Sequence, residues 1–436
     1  MNEISQDIVG AGQVDLAILD GIHVPRITIV AFCETQAAAD TIAAAAADRR
    51  MTRASLDVRV GGIARAEEFY RESPSPDLLV LESHASSADL LQELEGLAEV
   101  CDADTKVVVV GSSNDVMLYR ELLDRGIADY LVGPVRQSLF IAAIARLYRG
   151  DAPSKLGKTC AFIGAKGGVG ASTLAHNIAW GLAGELASNV ILADMDMPFG
   201  TAGLDLNIEA DQGMAEAIGD SGRLDELLLD RLLVKCSDHL SLLAAPAALT
   251  KTYDLDDTAF ERMLEIARGH AGTVVLDLPH VWTAWSRRTL VSADEVVIVA
   301  EPDLANLRNA KSLVEFLIQA RPNDAPPKLI LNLVGMPKRP EIKPAEFAAA
   351  VRLEPIAKIA FDPALFGAAA NKGQMIADFS AKSPVCGTFT EIARLIAGRG
   401  DAKAGRKGAL GARLLRMITS GGQPPKPALT QAGAKR

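Results

Sequence analysis

The sequence has few cysteines, no long apolar run and no recognisable targeting segment. Its five cysteines are far apart, with no C-x-x-C pair and no Cys/His cluster: Cys33, Cys101, Cys160, Cys236 and Cys386. A zinc site or a disulfide framework is therefore not expected. Residues 1–21 lack the basic segment and apolar stretch of a signal peptide, and no apolar run is long enough to span a bilayer. We expect a cytoplasmic protein, peripheral to a membrane at most.

The histidines also show no metal-ligand spacing, so the sequence gives them no functional role. They are interpreted as ordinary surface or packed side chains: His23, His84, His176, His239, His270 and His280. The net charge of −10 argues against a protein that coats nucleic acid. The charge is uneven, because residues 399–436 contain nine Lys or Arg residues and one acidic residue. This basic end is rich in Gly, Pro, Lys and Ala and is predicted to be a flexible tail.

A length of 436 residues predicts two or three domains. In the first, strands are expected at 26–32, 56–61, 77–82, 106–111 and 128–133, with helices at 35–50, 63–72, 86–100 and 114–125. In the second, strands are expected at 159–164, 189–194, 240–244, 272–277, 294–300, 328–332 and 356–360, and long helices at 171–187, 256–269, 304–320, 344–351 and 386–397. This alternation predicts an α/β protein with two parallel, doubly wound sheets. The predicted limits are an extension at 1–24, a first domain at 25–150, a linker at 151–157, a second domain at 158–398 and a tail at 399–436.

A glycine-rich stretch, FIGAKGGVGAST at 162–173, lies between a predicted strand and a predicted helix. Such glycines let backbone N–H groups face an anion, and the start of the helix adds positive potential. Gly164 is interpreted as the first glycine of a phosphate loop G-x-x-x-x-G-K-[ST] and Gly170 as the second, with Ser172 at the hydroxyl position. Ala171 stands where the lysine belongs. On this pattern alone, a structural turn and a nucleotide site are equally consistent.

The stretch from Ser75 to Val135 resembles the receiver domain of response regulators. That resemblance implies a flavodoxin-like parallel sheet and places Glu82 at the phospho-accepting aspartate. The acidic pair expected after the first strand is Cys33 and Glu34, and the lysine position is Gly133. Phosphotransfer needs the carboxylate, the magnesium ligands and the lysine together. We therefore expect a docking or dimerising module. Glu82 could mimic permanent phosphorylation, but a solvated carboxylate at a strand end is favoured.

The arrangement K-G-G-V-G-x-[ST]-T resembles the deviant Walker A loop of the MinD/ParA family of P-loop ATPases. That resemblance implies ATP and Mg²⁺ as ligands and a dimer in which Lys166 reaches the partner's phosphates. The nucleotide-binding residues it implies are Gly164, Ala165, Lys166, Gly167, Gly168, Val169, Gly170, Ala171, Ser172, Thr173 and Asn332.

The same resemblance assigns roles to three carboxylates at strand ends. Asp196 is expected to orient the attacking water, weakly. Ser172, Asp194 and Asp277 are expected at Mg²⁺, with Asp277 acting through water. Asn332 occupies a position that commonly hydrogen-bonds adenine.

Ala171 predicts weak catalysis. A lysine on the β- and γ-phosphates makes a charge-assisted contact of about 1.5–3 kcal/mol, so its absence weakens ATP by roughly ten- to a hundredfold. Hydrolysis suffers more, since the lost cation stabilises charge in the transition state. We expect a nucleotide-stabilised dimer with slow or absent turnover.

A degenerate receiver fused to a MinD-like ATPase resembles the TadZ/CpaE family of tight-adherence (Flp) pilus assembly proteins. The resemblance covers 26–398 and implies a scaffold that helps to place the pilus secretion machinery and its motor ATPase, at the cell pole or the inner face of the plasma membrane. Residues 405–420 carry a short apolar stripe with flanking arginines, either a weak contact to anionic membrane or a disordered basic tail. The alternative is an active ParA/MinD-like ATPase that positions cargo on DNA or membrane, although nucleic acid is an unlikely partner here.

Overall fold

The computed structural model describes residues 23–148, 156–186, 188–219, 223–246 and 252–398. Most of the extension at 1–24, most of the linker at 151–157 and the whole tail, with its 405–420 stripe, lie outside the described residues. The described residues form two sheets, one of five strands and one of eight. None of the described helices has the length and apolar character needed to cross a membrane.

The first sheet is parallel and has the order β2-β1-β3-β4-β5. Its strands are β1 (Thr28–Cys33), β2 (Ser55–Val60), β3 (Leu78–Ser83), β4 (Lys106–Gly111) and β5 (Asp129–Val132). Its helices are α1 (Gln36–Ala45), α2 (Gly62–Tyr70), α3 (Ser87–Ala98), α4 (Val116–Asp124) and α5 (Gln137–Leu147). Apolar clusters lie on both faces of the sheet, as expected for parallel strands covered on both sides.

The second sheet has the order β13-β12-β11-β6-β10-β7-β9-β8 and is parallel except for β8. Its strands are β6 (Lys158–Gly164), β7 (Val190–Asp194), β8 (Val234–Lys235), β9 (Leu240–Leu243), β10 (Thr273–Asp277), β11 (Glu295–Ala300), β12 (Lys328–Val334) and β13 (Pro355–Ala360). The central strand β6 has β11 and β10 as neighbours. The carboxyl ends of β11, β6, β10 and β7 therefore lie side by side, which is where such sheets bind ligands.

The helices of the second domain cover both faces of this sheet. They are α6 (Ala171–Leu186), α7 (Ala202–Asp205), α8 (Met214–Gly219), α9 (Glu226–Leu232), α10 (Glu261–His270), α11 (Ala284–Ser292), α12 (Leu304–Ala320), α13 (Pro344–Val351), α14 (Pro363–Ala370), α15 (Ile376–Phe379) and α16 (Pro384–Ile396). The prediction of two parallel α/β sheets is confirmed. The sequence analysis missed strand β8 and seven helices, which are α5, α7, α8, α9, α11, α14 and α15, and the helix expected at 35–50 ends at Ala45.

The two domains meet through buried charged side chains at the amino ends of β6 and β11. Arg49, in a short 3₁₀ turn after α1, contacts Oδ1 of Asp294 at 3.0 Å and Oδ2 of Asp324 at 2.8 Å. Asp294 also accepts hydrogen bonds from the backbone and hydroxyl of Thr159 at 2.9 and 3.1 Å. The domain limits stay predictions, but Val24 is buried in the core of the first sheet. The domain contact thus lies at the opposite end of β6 from the glycine-rich loop.

Candidate nucleotide site

The glycine-rich loop joins the carboxyl end of β6 to the start of α6. Gly168 and Gly170 have φ values of 82° and 83°, a region that L-residues disfavour. A Cβ at Gly170 would lie 2.6 Å from Nδ2 of Asn332. Asn332 is buried and donates from Nδ2 to the carbonyl of Val169 at 2.9 Å. The loop conformation therefore depends on a close approach between Gly170 and Asn332, while the adenine-binding role of Asn332 stays a prediction.

The first glycine position of the loop pattern was placed wrongly at Gly164. Counting back from Gly170, the G-x-x-x-x-G spacing puts it at Ala165. Ala165 is fully buried and bound on both sides: its N–H donates to Val299 at 2.7 Å, and its carbonyl accepts from Nδ2 of Asn309 at 2.8 Å. These contacts attach the beginning of the loop to β11 and α12. Sequence reasoning did not identify Asn309.

Gly164 ends β6, and its carbonyl accepts a hydrogen bond from Nδ1 of His280 at 2.8 Å. His280 stands three residues after Asp277. Its hydrogen bond thus connects the segment after β10 to the loop. A Cβ at Gly164 would lie 2.8 Å from the carbonyl oxygen of Lys166, so a larger residue does not fit there.

Lys166 and Gly167 are exposed at the tip of the loop. The side chain of Lys166 is 48% exposed, and its Nζ lies 3.8 Å from Oδ2 of Asp303. Asp303 caps α12 by accepting from the backbone of Asn306. Burial raises the pKa of Asp303. The hydrogen bonds from Asn306 and the charges of Lys166 and Arg339 outweigh burial and hold this pKa below its usual value. A single exposed ion pair of this length holds Lys166 only weakly.

Ala171, Ser172 and Thr173 form the first turn of α6 and are all partly buried. Helix α6 packs on the sheet through Leu174 and Ile178, which are fully buried. The start of the helix is therefore held rigidly against the loop. Its first turn offers backbone N–H groups and two hydroxyls to an anion, but none of its three side chains is a cation.

Asp194 and Asp277 end neighbouring strands and are paired in register. Asp194 is buried and accepts from the backbone N–H groups of Asp196 at 3.2 Å and Ala202 at 3.0 Å. Burial and the nearby charge of Asp277 raise its pKa to about 7, against the lowering effect of His176. Position 200 requires glycine, since a Cβ on Gly200 would lie 2.4 Å from the Asp194 carboxylate. Two buried carboxylates side by side form the acidic centre that a divalent cation would neutralise.

Asp277 is only 2% exposed, and its Oδ1 has no hydrogen-bond partner among the described residues. Its Oδ2 accepts from Nε2 of His176 at 3.1 Å, and Nδ1 of His176 donates to Asp205 at 2.8 Å. Burial lowers the pKa of His176, but its bonds to Asp205 and Asp277 outweigh burial and raise it to about 10. His176 is thus a packed side chain, as the sequence analysis expected, but nothing in the sequence indicated that its ring lies between the carboxylates of Asp205 and Asp277.

Asp196 lies just beyond β7 and is partly buried. Its Oδ1 accepts from the backbone of Phe199 at 3.1 Å. Burial raises its pKa, with a further contribution from Asp277 and against the hydrogen bond from Phe199. The structure brings Asp196 to the same edge as Asp194 and Asp277, and its role toward water stays a prediction.

These residues fit a hydrated magnesium ion. In the described part of the chain, no group of three or more His, Cys, Asp or Glu side chains is arranged to hold a metal by itself. Mg²⁺ usually keeps several waters and takes one or two carboxylates with phosphate oxygens. The orphaned Oδ1 of Asp277 meets that need, with Ser172 and Asp194 as the other residues that would hold the ion.

In the first domain, the structure corrects the expectation for Glu82. This residue is 6% exposed rather than solvated. Its carboxylate accepts from the backbone N–H and the hydroxyl of Thr35, each at 2.8 Å. Its position next to the start of α1 explains the burial, because Thr35 is the N-cap of that helix. Glu82 lines a cavity of about 380 Å³ at the carboxyl ends of the strands, and phosphate mimicry stays untested.

Comparison with known proteins shows which families the second domain is similar to. Residues 157–326 match the model of a family described as an AAA domain. A ParA family ATPase from Chlorobium tepidum is 26% identical, with a TM-score of 0.50 over 54% of this chain and 98% of that one. The second domain has the MinD/ParA-like P-loop fold. The predicted fold class is thereby confirmed.

Two other similarities cover smaller parts of the chain. The septum site-determining protein MinD of Synechocystis is 29% identical over 153 residues, which are 35% of this chain and 56% of that protein. The chain thus spans little more than half of that curated relative. A pilus assembly protein CpaE from Caulobacter crescentus is 47% identical over 29% of this chain and 97% of that one. Its TM-score of 0.29 carries no argument about the fold.

Proposed function

We propose that this protein is a scaffold for Flp-type pilus assembly that dimerises on binding ATP and Mg²⁺ and hydrolyses ATP slowly or not at all. The observation that carries the proposal is that one of two lysine positions in the loop holds a lysine and the other does not. Lys166 is present and exposed at the loop tip, whereas Ala171 leaves the first turn of α6 without a cation. The loop retains what binding needs and lacks a group that turnover within one subunit needs.

Exposed apolar side chains near the loop support dimerisation. Phe199, Trp282 and Leu304 follow β7, β10 and β11, and they are 69%, 54% and 74% exposed. These strands and β6 are consecutive in the sheet, so the three side chains, with Leu304 as the first residue of α12, lie at the same edge as Lys166. Large exposed apolar groups that share an edge are typical of an interaction surface. A second copy facing this edge would cover them.

The same arrangement supports a role for Lys166 across the dimer. Within the described ranges, its ammonium group has only the weak contact to Asp303, at 3.8 Å, and it stands on the exposed part of the loop. A partner's bound phosphates would be a stronger electrostatic partner, because a phosphate offers more negative charge and several acceptor oxygens. Lys166 would thus supply in trans part of the charge that Ala171 does not supply in cis.

The assignment to pilus assembly rests on sequence. The receiver-like segment and the alanine-containing loop both resemble the TadZ/CpaE family, and the CpaE chain from Caulobacter is 47% identical over the part that aligns. The partners in this proposal are the pilus secretion machinery and its separate motor ATPase. The location in this proposal is the cytoplasmic side of the membrane or the cell pole.

Gel filtration with light scattering tests the role of Lys166. The wild type, Lys166→Ala and the control Lys311→Ala are each run with and without Mg-ATP. Lys311 is exposed on α12, and its ion-pair partner is Glu315 in the same helix. The proposal predicts an ATP-dependent dimer for the wild type and Lys311→Ala, and a folded monomer for Lys166→Ala. A dimer that forms equally well with Ala at 166 contradicts the role in trans.

A further inference from the structure

The described part of the chain contains one feature that the nucleotide-site pattern does not account for. His176 lies on α6, the helix that begins at the phosphate loop, and it is fully buried. Its two ring nitrogens contact carboxylates from two other elements, Asp205 at the end of α7 and Asp277 at the end of β10. A single imidazole therefore connects three segments that surround the acidic centre.

The contacts of Asp277 are one-sided. Its Oδ2 accepts from His176 at 3.1 Å, while Oδ1 is buried and has no partner among the described residues. A buried carboxylate oxygen without a donor is costly, so such an atom is a candidate to bind a cation or a water. The hydrogen bond to Oδ2 fixes the rotation of the carboxylate, so that Oδ1 is the oxygen left for that ligand.

The other end of the imidazole is also fixed. Nδ1 lies 2.8 Å from Oδ2 of Asp205, which is partly exposed. Helix α7 follows the segment that contains Asp194, Asp196 and Gly200. Asp205 therefore holds the ring in place from the side of that segment. Ligand-binding groups are commonly oriented in this way by a second hydrogen-bonded residue, and loss of such a partner typically weakens metal binding by roughly 10–100-fold.

We infer that His176 is a positioning residue for magnesium, which orients Asp277 toward the hydrated ion and is itself oriented by Asp205. This inference rests on the proposed function, since it concerns the magnesium of that same site. His176 touches neither nucleotide nor metal in this scheme. It acts through Asp277, so its effect belongs to the magnesium-dependent part of nucleotide binding.

The test measures the magnesium-dependent gain, defined as the ratio of the dissociation constants for a fluorescent ATP analogue in EDTA and in Mg²⁺. The variants are His176→Ala, His176→Gln and Asp205→Asn. The control is His239→Ala, just before β9, where the ring lies within hydrogen-bond distance of Asn189 and away from the acidic centre. Dissociation constants in EDTA serve as the internal reference, and melting temperatures show that each variant is folded.

Removal of His176 has two opposing effects, and glutamine separates them. Loss of the imidazole frees Asp277 to rotate, which weakens magnesium binding. Loss of the imidazole also removes a group that can carry positive charge, and this change by itself would strengthen magnesium binding. Glutamine is uncharged but keeps an N–H donor. If positioning dominates, His176→Ala lowers the gain by about tenfold or more, and His176→Gln lies closer to the wild type than to the alanine variant.

A double-mutant cycle between His176 and Asp205 adds a second criterion. Asp205→Asn is expected to lower the gain in the wild-type background and to have no further effect when His176 is already alanine. An unchanged or increased gain in both His176 variants overturns the inference. An equal loss of affinity in EDTA and in Mg²⁺ also overturns it, because it indicates a general disturbance of the loop. Failure of the proposed function looks different, because the wild type itself would then bind no nucleotide or show no magnesium-dependent gain.

Discussion

Nε of Arg49 lies 2.8 Å from Oδ2 of Asp324, and this contact joins the domain of the five-stranded sheet to the domain of the eight-stranded sheet. Both side chains are about one-twentieth exposed, and a second nitrogen of Arg49 contacts Asp294 at 3.0 Å. Buried ion pairs of this kind are costly to desolvate and are tolerated only when their hydrogen bonds are satisfied. The two domains are therefore joined by a specific contact rather than by the linker alone.

Replacement of Arg49 by methionine is predicted to destabilise the protein strongly. The substitution leaves Asp294 and Asp324 buried with fewer cationic partners, and breaking a buried pair typically costs about 3–5 kcal/mol. Urea unfolding, followed at several wavelengths because two domains need not unfold together, measures the loss. Arg53→Met is the matched control: Arg53 also bridges the domains, to Glu265, but both side chains are more than a third exposed, so a loss within about 1 kcal/mol is expected. Equal losses for the two variants would contradict the account.

Acid is predicted to weaken the same domain contact. Burial alone would raise the pKa of Asp324, but the charge and hydrogen bond of Arg49 outweigh it and lower the pKa to about 2. Because the folded-state pKa lies below the unfolded value, the stabilising contribution of Asp324 is complete above about pH 4 and is lost as the pH falls through about 2. The pH dependence of the melting temperature in this range measures it. Asp324→Asn should lower stability at neutral pH and flatten that dependence, and an unchanged slope would argue against this role.

Gly170→Ala is predicted to destabilise the protein even without nucleotide. The residue has φ of 83°, which costs an L-residue roughly 1–2 kcal/mol, and the new Cβ would lie 2.6 Å from Nδ2 of Asn332. Gly167→Ala is the control, since a Cβ there meets nothing within 4 Å and its φ is not positive. Thermal unfolding in the absence of nucleotide should show a lower melting temperature for the first variant only. Similar melting temperatures for both would mean that Asn332 does not hold the loop as described.

Ala171→Lys is predicted to tighten ATP binding by about ten- to a hundredfold and to raise the rate of hydrolysis. The added ammonium group would make a charge-assisted contact to the phosphates and stabilise charge in the transition state. Ala171→Met, which has similar length and no charge, separates charge from bulk. Equilibrium binding and phosphate release measure the two effects. If methionine produces the same gains as lysine, the missing charge does not explain the slow hydrolysis that we propose.

Much of the fold follows from local pattern. The apolar runs of β6, β10 and β11 identify central buried strands, and the glycines between β6 and α6 identify the loop. Asp194 and Asp277 were identifiable because each ends such a run, and the carboxyl ends of adjacent parallel strands meet at one edge.

The contacts of His176 and Arg49 could not be predicted in the same way. His176 and Asp277 are 101 positions apart, and a single histidine in a helix carries no local sign that two carboxylates will surround it. Arg49 and Asp324 are 275 positions apart and belong to different domains. Glu82 ends a strand like Asp277, yet its burial depends on how Thr35 caps the neighbouring helix. Pairings of this kind depend on tertiary packing, which residue type and spacing do not encode.

The central claim is that nucleotide binding and efficient hydrolysis are separated in this protein. Its most direct test measures molecular mass and phosphate release on one sample saturated with Mg-ATP. We predict a dimer that releases phosphate far more slowly than the roughly 1 s⁻¹ or more of an ordinary enzyme. A dimer that turns over at that rate would contradict the scaffold proposal and favour an active ATPase. A protein that stays monomeric with no bound ATP would contradict the nucleotide-dependent dimer altogether.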